Sequence, residues 1–260
     1  MIHLEVKEKD SAIALLTLKR PEKRNALNLA LMEEISNTIE GLEKHPSCRV
    51  VIIQGEGSVF CAGLDLQESS DPLLIEKMAQ HIARMFKAVY TSSLVTIAAI
   101  QGDAIAGGAG LAAACDYVLI AKGARMGFPE TRRGLIAAQV STLLCRQMCM
   151  RDVRELLLLA ELVDSRKAVE MRLANREVDK NLLEAEAIKT ANLILQGGPQ
   201  AVKDTKRLLD SLDPACFFKD LETALSFHQT TRHSEEAKEG IAAFLEKRSP
   251  RWSEHSHEII

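Results

Sequence analysis

Apolar positions change their spacing several times along the first half of the chain, and each change marks an element. Ile13-Ala14-Leu15-Leu16-Thr17-Leu18 is a short apolar run closed by Arg20-Pro21, which reads as a strand. Leu27, Leu31, Ile35, Ile39 and Leu42 then recur at helical spacing, with Asn28 placed as a cap and Pro46 beyond the end. Val50-Val51-Ile52-Ile53 is apolar throughout, as a strand covered on both faces must be. A helical stretch follows from Pro72 to Tyr90, then a second buried strand over Leu94–Ile100. Gly107-Gly108 opens another helix, and Tyr117–Ala121 reads as a third buried strand. This alternation predicts an α/β fold.

Past residue 150 the strand signal fades. Val153 to Val163 predicts an apolar helix, and Ser165 is the expected cap of the next one. Pro199 stands where a first helical residue would, with Val202, Leu208, Leu209 and Leu212 on one face. The last helix starts near Ser234 and carries Ala237, Ile241, Phe244 and Leu245 as a stripe. It ends in Lys247 and Arg248, a basic end that suits the helix dipole. The expected organisation is an α/β core over 1–198 and a helical C-terminal region over 199–260, with no internal repeat or low-complexity linker.

Composition then removes several classes of function. The 260 residues are 47% hydrophobic, 27% charged and 4% aromatic, the profile of a globular chain with a sizeable core. Lys plus Arg number 33 against 36 Asp plus Glu, and the net charge of −3 argues against a nucleic-acid partner bound by bulk basicity. No apolar stretch reaches the ~18 residues of a membrane helix. The charged, alternating start MIHLEVKEKD is not a signal peptide. The 6 cysteines include no C-x-x-C pair and mostly sit in apolar runs, so free buried thiols in the reducing cytoplasm are expected. Cys145 and Cys149 share i,i+4 spacing on an apparent helix, but without nearby histidines they read as core packing, and no metal site is expected.

Glycine punctuates the segments able to carry chemistry. Phe60-Cys61-Ala62-Gly63-Leu64-Asp65-Leu66 follows a buried strand, where small residues let backbone N–H groups face a ligand. Gln101-Gly102-Asp103-Ala104-Ile105-Ala106-Gly107-Gly108-Ala109-Gly110-Leu111 again joins a buried strand to an apolar helix, whose unpaired N–H groups make an anion site. It is neither a dinucleotide fingerprint nor a phosphate loop, since both glycine patterns are missing. In Gly127-Phe128-Pro129-Glu130 the carboxylate falls at the start of a short helix. From spacing alone these remain open to plainer readings: an ordinary connection, close helix packing, and a partner for a helix dipole. No G-x-S-x-G elbow occurs, which argues against a hydrolase of that type.

In order along the chain, these segments resemble the crotonase, or enoyl-CoA hydratase/isomerase, family. The resemblance begins at Arg20-Pro21-Glu22-Lys23-Arg24-Asn25-Ala26-Leu27 and continues through Phe60–Leu66, Gly107-Gly108 with Cys115-Asp116, and Phe128-Pro129-Glu130. It closes at Phe244-Leu245-Glu246-Lys247-Arg248, so it spans nearly the whole chain. It implies a crotonase-like (ClpP/crotonase) spiral of ββα units with a helical C-terminal trimerisation region, assembled as trimers or pairs of trimers. It also implies an acyl-CoA or acyl-pantetheine substrate, with no prosthetic group, no membrane partner, and coenzyme A entering as part of the substrate.

Carried over by position, the resemblance implies that the backbone N–H groups of Leu64 and Gly107 hold the thioester oxygen while Glu130 moves the proton. Ala26, Leu27, Ala62, Asp65 and Leu66 match positions around the adenine and pantetheine, and Lys23 or Arg24 match partners of the phosphates. Phe244 and Lys247 match groups that join them from a neighbouring subunit.

One departure changes the expected mechanism. Family hydratases flank a water with two glutamates; Glu130 matches the second, but the first falls on Gly110. Leu135-Ile136-Ala137-Ala138-Gln139 also replaces the usual glycine-rich turn and reshapes the acyl pocket. The implied activity is a hydratase or dehydratase with a single acid, with a Δ3,Δ2-enoyl-CoA isomerase or a non-catalytic acyl-CoA-binding protein as alternatives.

Overall fold

A long strand, a short strand and a helix, in that order, recur along the chain. The computed structural model describes residues 2–6, 12–212 and 217–252. After β1 (Ile2–Val6), β2 (Ile13–Leu18) and α1 (Leu29–Leu42), the first full unit is β3 (Val50–Gly55), β4 (Val59–Cys61), α2 (Leu66–Ser69) and α3 (Ile75–Tyr90). The second is β5 (Val95–Ile100), β6 (Asp103–Ile105) and α4 (Gly107–Ala113). The third is β7 (Tyr117–Ala121), β8 (Arg125–Gly127) and α5 (Ala138–Gln147).

Long and short strands go to different sheets. The larger sheet has the order β1-β2-β3-β5-β7-β10, where β10 is Arg176–Val178. Only β1 runs antiparallel in it; Ile52 of β3 lies between Leu15 of β2 and Ile97 of β5 in parallel register. Leu16, Ile53, Ile97 and Leu119 are fully buried, which is why these strands read as continuous apolar runs rather than alternations. The smaller sheet stacks the short strands as β4-β6-β8-β9, with β9 at Val163–Asp164. The short strands Val59–Cys61, Asp103–Ile105 and Arg125–Gly127 are too brief to show a period, so in the sequence they look like connections.

Helix α1 begins as expected, with the Asn28 side chain accepting from the Leu31 N–H at 3.0 Å. The segment after it differs from expectation in several ways. No helix spans Val153–Val163: α6 (Met150–Arg154) passes into a π-helical turn over Glu155–Leu159, and Ala160 then takes φ +54. Val163 is drawn into β9, where it pairs with Met126 of β8. Asp164, not Ser165, caps α7 (Ser165–Glu170), accepting from the Lys167 N–H at 2.8 Å. Cys149 lies beyond the end of α5, and both Cys145 and Cys149 are exposed, so the expected packing of this pair in the core is not what forms. Cys48, Cys61 and Cys115 are free and buried.

The remaining helices are α8 (Leu183–Leu195), α9 (Pro199–Leu212), α10 (Phe217–Arg232) and α11 (Glu235–Leu245). Helix α8 covers one face of β3, β5 and β7. Lys206 ties α9 to the sheet, donating to Asp116 Oδ2 at 2.6 Å and to the Leu94 carbonyl at 2.9 Å. Leu208 and Leu209 of α9 are exposed, so that end of the expected apolar face is not buried among the described residues. Helix α10 packs across α3 and α5, and α11 folds onto the turn at Thr131–Arg133, forming a roof over the first and third units. Among the described residues no helix is long and apolar enough to cross a membrane.

Candidate active site

Two turns meet where β4 and β6 end side by side. These strands are parallel, pairing Val59 with Asp103 and Cys61 with Ala104. After β4 the chain turns at Gly63, whose φ of +90 belongs to glycine, and after β6 it turns at Ala106 with φ +53. A Cβ on Gly63 would lie 3.0 Å from the Ala106 Cβ and 3.4 Å from the Gly107 nitrogen. Leu27 fixes the first turn by donating its N–H to the Gly63 carbonyl at 2.8 Å and accepting from the Asp65 N–H at 2.9 Å. That pairing uses the groups on either side of the Leu64 N–H and leaves it unused, with no backbone acceptor among the described residues. Gly107 is the first residue of α4, so its N–H is an orphan donor of a helix start.

Both turns open on a cavity of about 560 Å³, a volume in the range of small-molecule sites. Of the residues expected from sequence, Leu64, Gly107 and Glu130 line it, together with Lys23, Arg24, Ala26, Ala62, Asp65, Leu66 and Phe244. Leu27 does not; it is fully buried behind Gly107, with its backbone bracing the Gly63 turn. Lys247 does not line the cavity either. Phe244 reaches this chain's own cavity, whereas the resemblance implied a neighbouring subunit. The cause is local: Gly240 lets α11 close against the Arg133 backbone, and the Arg133 guanidinium then sits 4.3 Å from the centre of the Phe244 ring.

The segment 20–26 is held by a buried polar framework. Asn25 is fully buried; its side chain accepts from the Arg20 N–H and donates to the carbonyls of Glu56 and Val59 at 2.9 and 2.8 Å. Arg20 in turn pairs with Asp65 at 3.0 Å and donates to the Ala26 carbonyl. The other oxygen of Asp65 caps α2 through the Gln67 N–H at 3.1 Å. Asp65 is therefore occupied by structure, and its carboxylate is not free for chemistry.

Glu130 is different. It precedes the turn Thr131–Arg133, makes no side-chain cap, and its Oε2 is buried without a hydrogen-bond partner. The helix-dipole reading of this residue does not hold. Burial pushes its pKa from 4.5 to about 7, against the pull of its own backbone N–H and of the Arg133 charge. A carboxyl near neutrality both gives and takes protons. Asp103, Glu68 and Asp71 are engaged elsewhere: Asp103 with Arg125, Glu68 with the Leu29 N–H, and Asp71 with the Leu73 N–H. None of them lines the cavity.

At position 110 the space for a second carboxylate is already filled. A Cβ on Gly110 would lie 2.5 Å from Phe86 Cζ and 2.6 Å from Val140 Cγ2. Phe86 of α3 and Val140 of α5 both line the cavity, so an apolar wall stands there. Leu135, Ile136, Ala137 and Gln139 continue this wall. Sequence reading did not single out Phe86, Ile82, His228 or Arg232, all of which line the cavity from α3 and α10. The i,i+4 spacing of His228 and Arg232 was the signal available, although it reveals nothing of where the helix docks.

A family model described as enoyl-CoA hydratase/isomerase matches residues 8–255. The chain belongs to that family. It is 33% identical over 248 residues to a mevalonyl-coenzyme A hydratase of Aspergillus fumigatus, covering 92% of this chain and 91% of that protein. It is 30% identical over 249 residues to a short-chain-enoyl-CoA hydratase of Clostridium acetobutylicum, covering 93% and 94%. A crystal structure of an enoyl-CoA hydratase from Mycobacterium avium superposes with a TM-score of 0.87 at 30% identity, over 96% of this chain and 98% of that one. The fold is the crotonase fold, and the family is one of enzymes acting on coenzyme A thioesters.

Proposed function

We propose that this chain hydrates 2-enoyl thioesters of coenzyme A, or dehydrates the 3-hydroxyacyl products, with Glu130 as its single proton carrier. The observation that carries this reading is a buried carboxyl whose Oε2 has no hydrogen-bond partner, with a pKa raised to about 7, in the same cavity as two unused backbone donors. The thioester carbonyl oxygen accepts from the Leu64 and Gly107 N–H groups. Chemistry at the acyl carbons makes an enolate whose charge gathers on that oxygen, and one such donor is worth about 10²–10³ in rate. In hydration, ionised Glu130 takes a proton from water as its oxygen bonds to C3, then delivers that proton to C2. Dehydration reverses each step. Coenzyme A enters only as part of the substrate, its adenine and pantetheine beside Ala26, Ala62, Asp65 and Leu66, and its phosphates towards Lys23 or Arg24. A pantetheine carried by a protein offers the same contacts up to the phosphate.

A second reading has its own support. Because Phe86 and Val140 fill the space at Gly110, no second carboxylate stands at that position to steady a water. A Δ3,Δ2-enoyl isomerase needs none: Glu130 takes the proton from C2 and returns it at C4. The exposed Leu208 and Leu209 of α9 and Phe227 of α10 support assembly as a homo-oligomer, a trimer or a pair of trimers.

Wild type and Glu130→Gln assayed on crotonyl-CoA, a 3-enoyl-CoA and a branched 2-enoyl-CoA separate these readings. Loss of about 10²–10⁴ in kcat on the 2-enoyl substrates supports hydration. The same loss confined to the 3-enoyl substrate supports isomerisation. Binding of acyl-CoA without turnover on any of them points to a non-catalytic role, and unchanged turnover in the variant removes Glu130 from the mechanism.

A further inference from the structure

Arg232, the last residue of α10, is only 7% exposed, and it faces the cavity. Among the described residues no carboxylate acts on its charge; burial alone weighs on it and lowers its proton affinity. A buried cation without a counter-ion is a cost to folding that a bound anion would offset. Two further donors share its wall. Gln139 Nε2 is buried with no hydrogen-bond partner, on α5, against which α10 packs. His228 lies one helical turn before Arg232 and also lines the cavity. Burial and the Arg232 charge lower its pKa to about 4, so its ring is neutral at pH 7 and offers one N–H.

The proton carrier does not need Arg232. The cation whose charge bears on Glu130 is Arg133, and Arg232 is not among the influences on that carboxyl. Nor does Arg232 belong to the segments 22–26 and 62–67, whose charged groups are set for coenzyme A. It comes instead from the roof helix that packs on α3 and α5, the elements whose Phe86 and Val140 form the apolar wall.

We propose that the acyl group taken by this cavity carries a free carboxylate, paired with Arg232 and held by Gln139 and His228. The substrate class is then a thioester of a dicarboxylic acid rather than of a simple fatty acid. A planar guanidinium matches a carboxylate through parallel N–H donors, a geometry a lysine cannot supply. The inference rests on the acyl-thioester reading above, but it is tested by binding and not by turnover.

Calorimetry compares saturated glutaryl-CoA with hexanoyl-CoA, which keeps the coenzyme constant and swaps a carboxylate for an apolar end. Wild type is expected to bind glutaryl-CoA about 10²–10³-fold more tightly than hexanoyl-CoA. Arg232→Met, which keeps the length of the side chain and removes its charge, lowers that ratio at least tenfold. Arg232→Lys restores part of it, and Gln139→Leu lowers it independently. Equal affinities in wild type, which need no variant, overturn the inference, as does a preference that survives Arg232→Met. A carboxylate preference without turnover of any enoyl-CoA would retain this subsite and reject the hydratase reading; turnover without the preference would do the reverse.

Discussion

The ring of Phe86 lies so close to Gly110 that a Cβ added there would sit 2.5 Å from its Cζ. Phe86 is itself fully buried, and Val140 closes the other side at 2.6 Å. Gly110→Ala is therefore an overpacking change, expected to cost about 1–3 kcal/mol in urea unfolding. Gly110→Glu should cost more and restore no second proton carrier. Hydration by Gly110→Glu at or above the wild-type rate would show that the wall yields.

Glu130 makes stability depend on pH in a stated direction. Its folded pKa of about 7 lies above the ordinary 4.5, so the folded state holds the proton more tightly than the unfolded chain. The contribution is fully present below pH 4.5 and is lost as pH rises through about 7. By linkage it amounts to about 3 kcal/mol over that window. Melting of wild type and Glu130→Gln from pH 4 to 8 checks this: the Gln variant should gain on wild type as pH rises. The kcat/KM of wild type should climb through a pKa near 7, a limb that the Gln variant lacks.

Gly63 combines a φ of +90 with a position where an added Cβ would lie 3.0 Å from the Ile105 carbonyl oxygen and 3.4 Å from the Gly107 nitrogen. Gly63→Ala forces a side chain into a backbone conformation it rarely adopts, at about 1–3 kcal/mol. Relaxing the turn moves the backbone on either side of it, Leu64 or the facing Ile105–Gly107 stretch, so kcat should fall about 10²-fold or more. Steady-state kinetics alongside melting separate the two effects, since a loss of stability alone leaves kcat per folded enzyme unchanged.

Asn25 fastens the 20–26 segment to the loop at Glu56–Val59. Asn25→Ala leaves the Glu56 carbonyl and the Arg20 N–H without their side-chain partner and the Val59 carbonyl with Gln101 alone, in a residue whose φ of +53 suits asparagine better than alanine. A loss of about 2–4 kcal/mol in unfolding is expected. A weaker affinity for coenzyme A should accompany it, because Lys23, Arg24 and Ala26 ride on the same segment.

The long strands were legible because each is a continuous Val/Ile/Leu run, and α1 and α11 because each starts with a side-chain cap, Asn28 and Ser234. The short strands were not, since a strand such as Asp103–Ile105 has no room to show alternation. Leu156 to Leu159 read as helix because apolarity alone cannot reveal a π turn whose Leu158 and Leu159 face outward. At the site, the glycine turns and Glu130 stood out by residue type. Phe86, Val140 and Arg232 did not, because their significance arises only when α3, α5 and α10 are packed together. That Phe244 lines this chain's own cavity has the same origin: chain order does not show where the helix that carries it will dock.

In this chain Glu130 and the helix that closes its cavity belong to one copy. Glu130 and the helix bearing Phe244 meet within a single polypeptide, where Gly240 seats α11 on Arg133. If Glu130 is the proton carrier proposed above, copies altered at Glu130 and copies altered in that helix would fail to complement each other when mixed. Catalytic output would track the fraction of intact protomers, whatever number of them assemble.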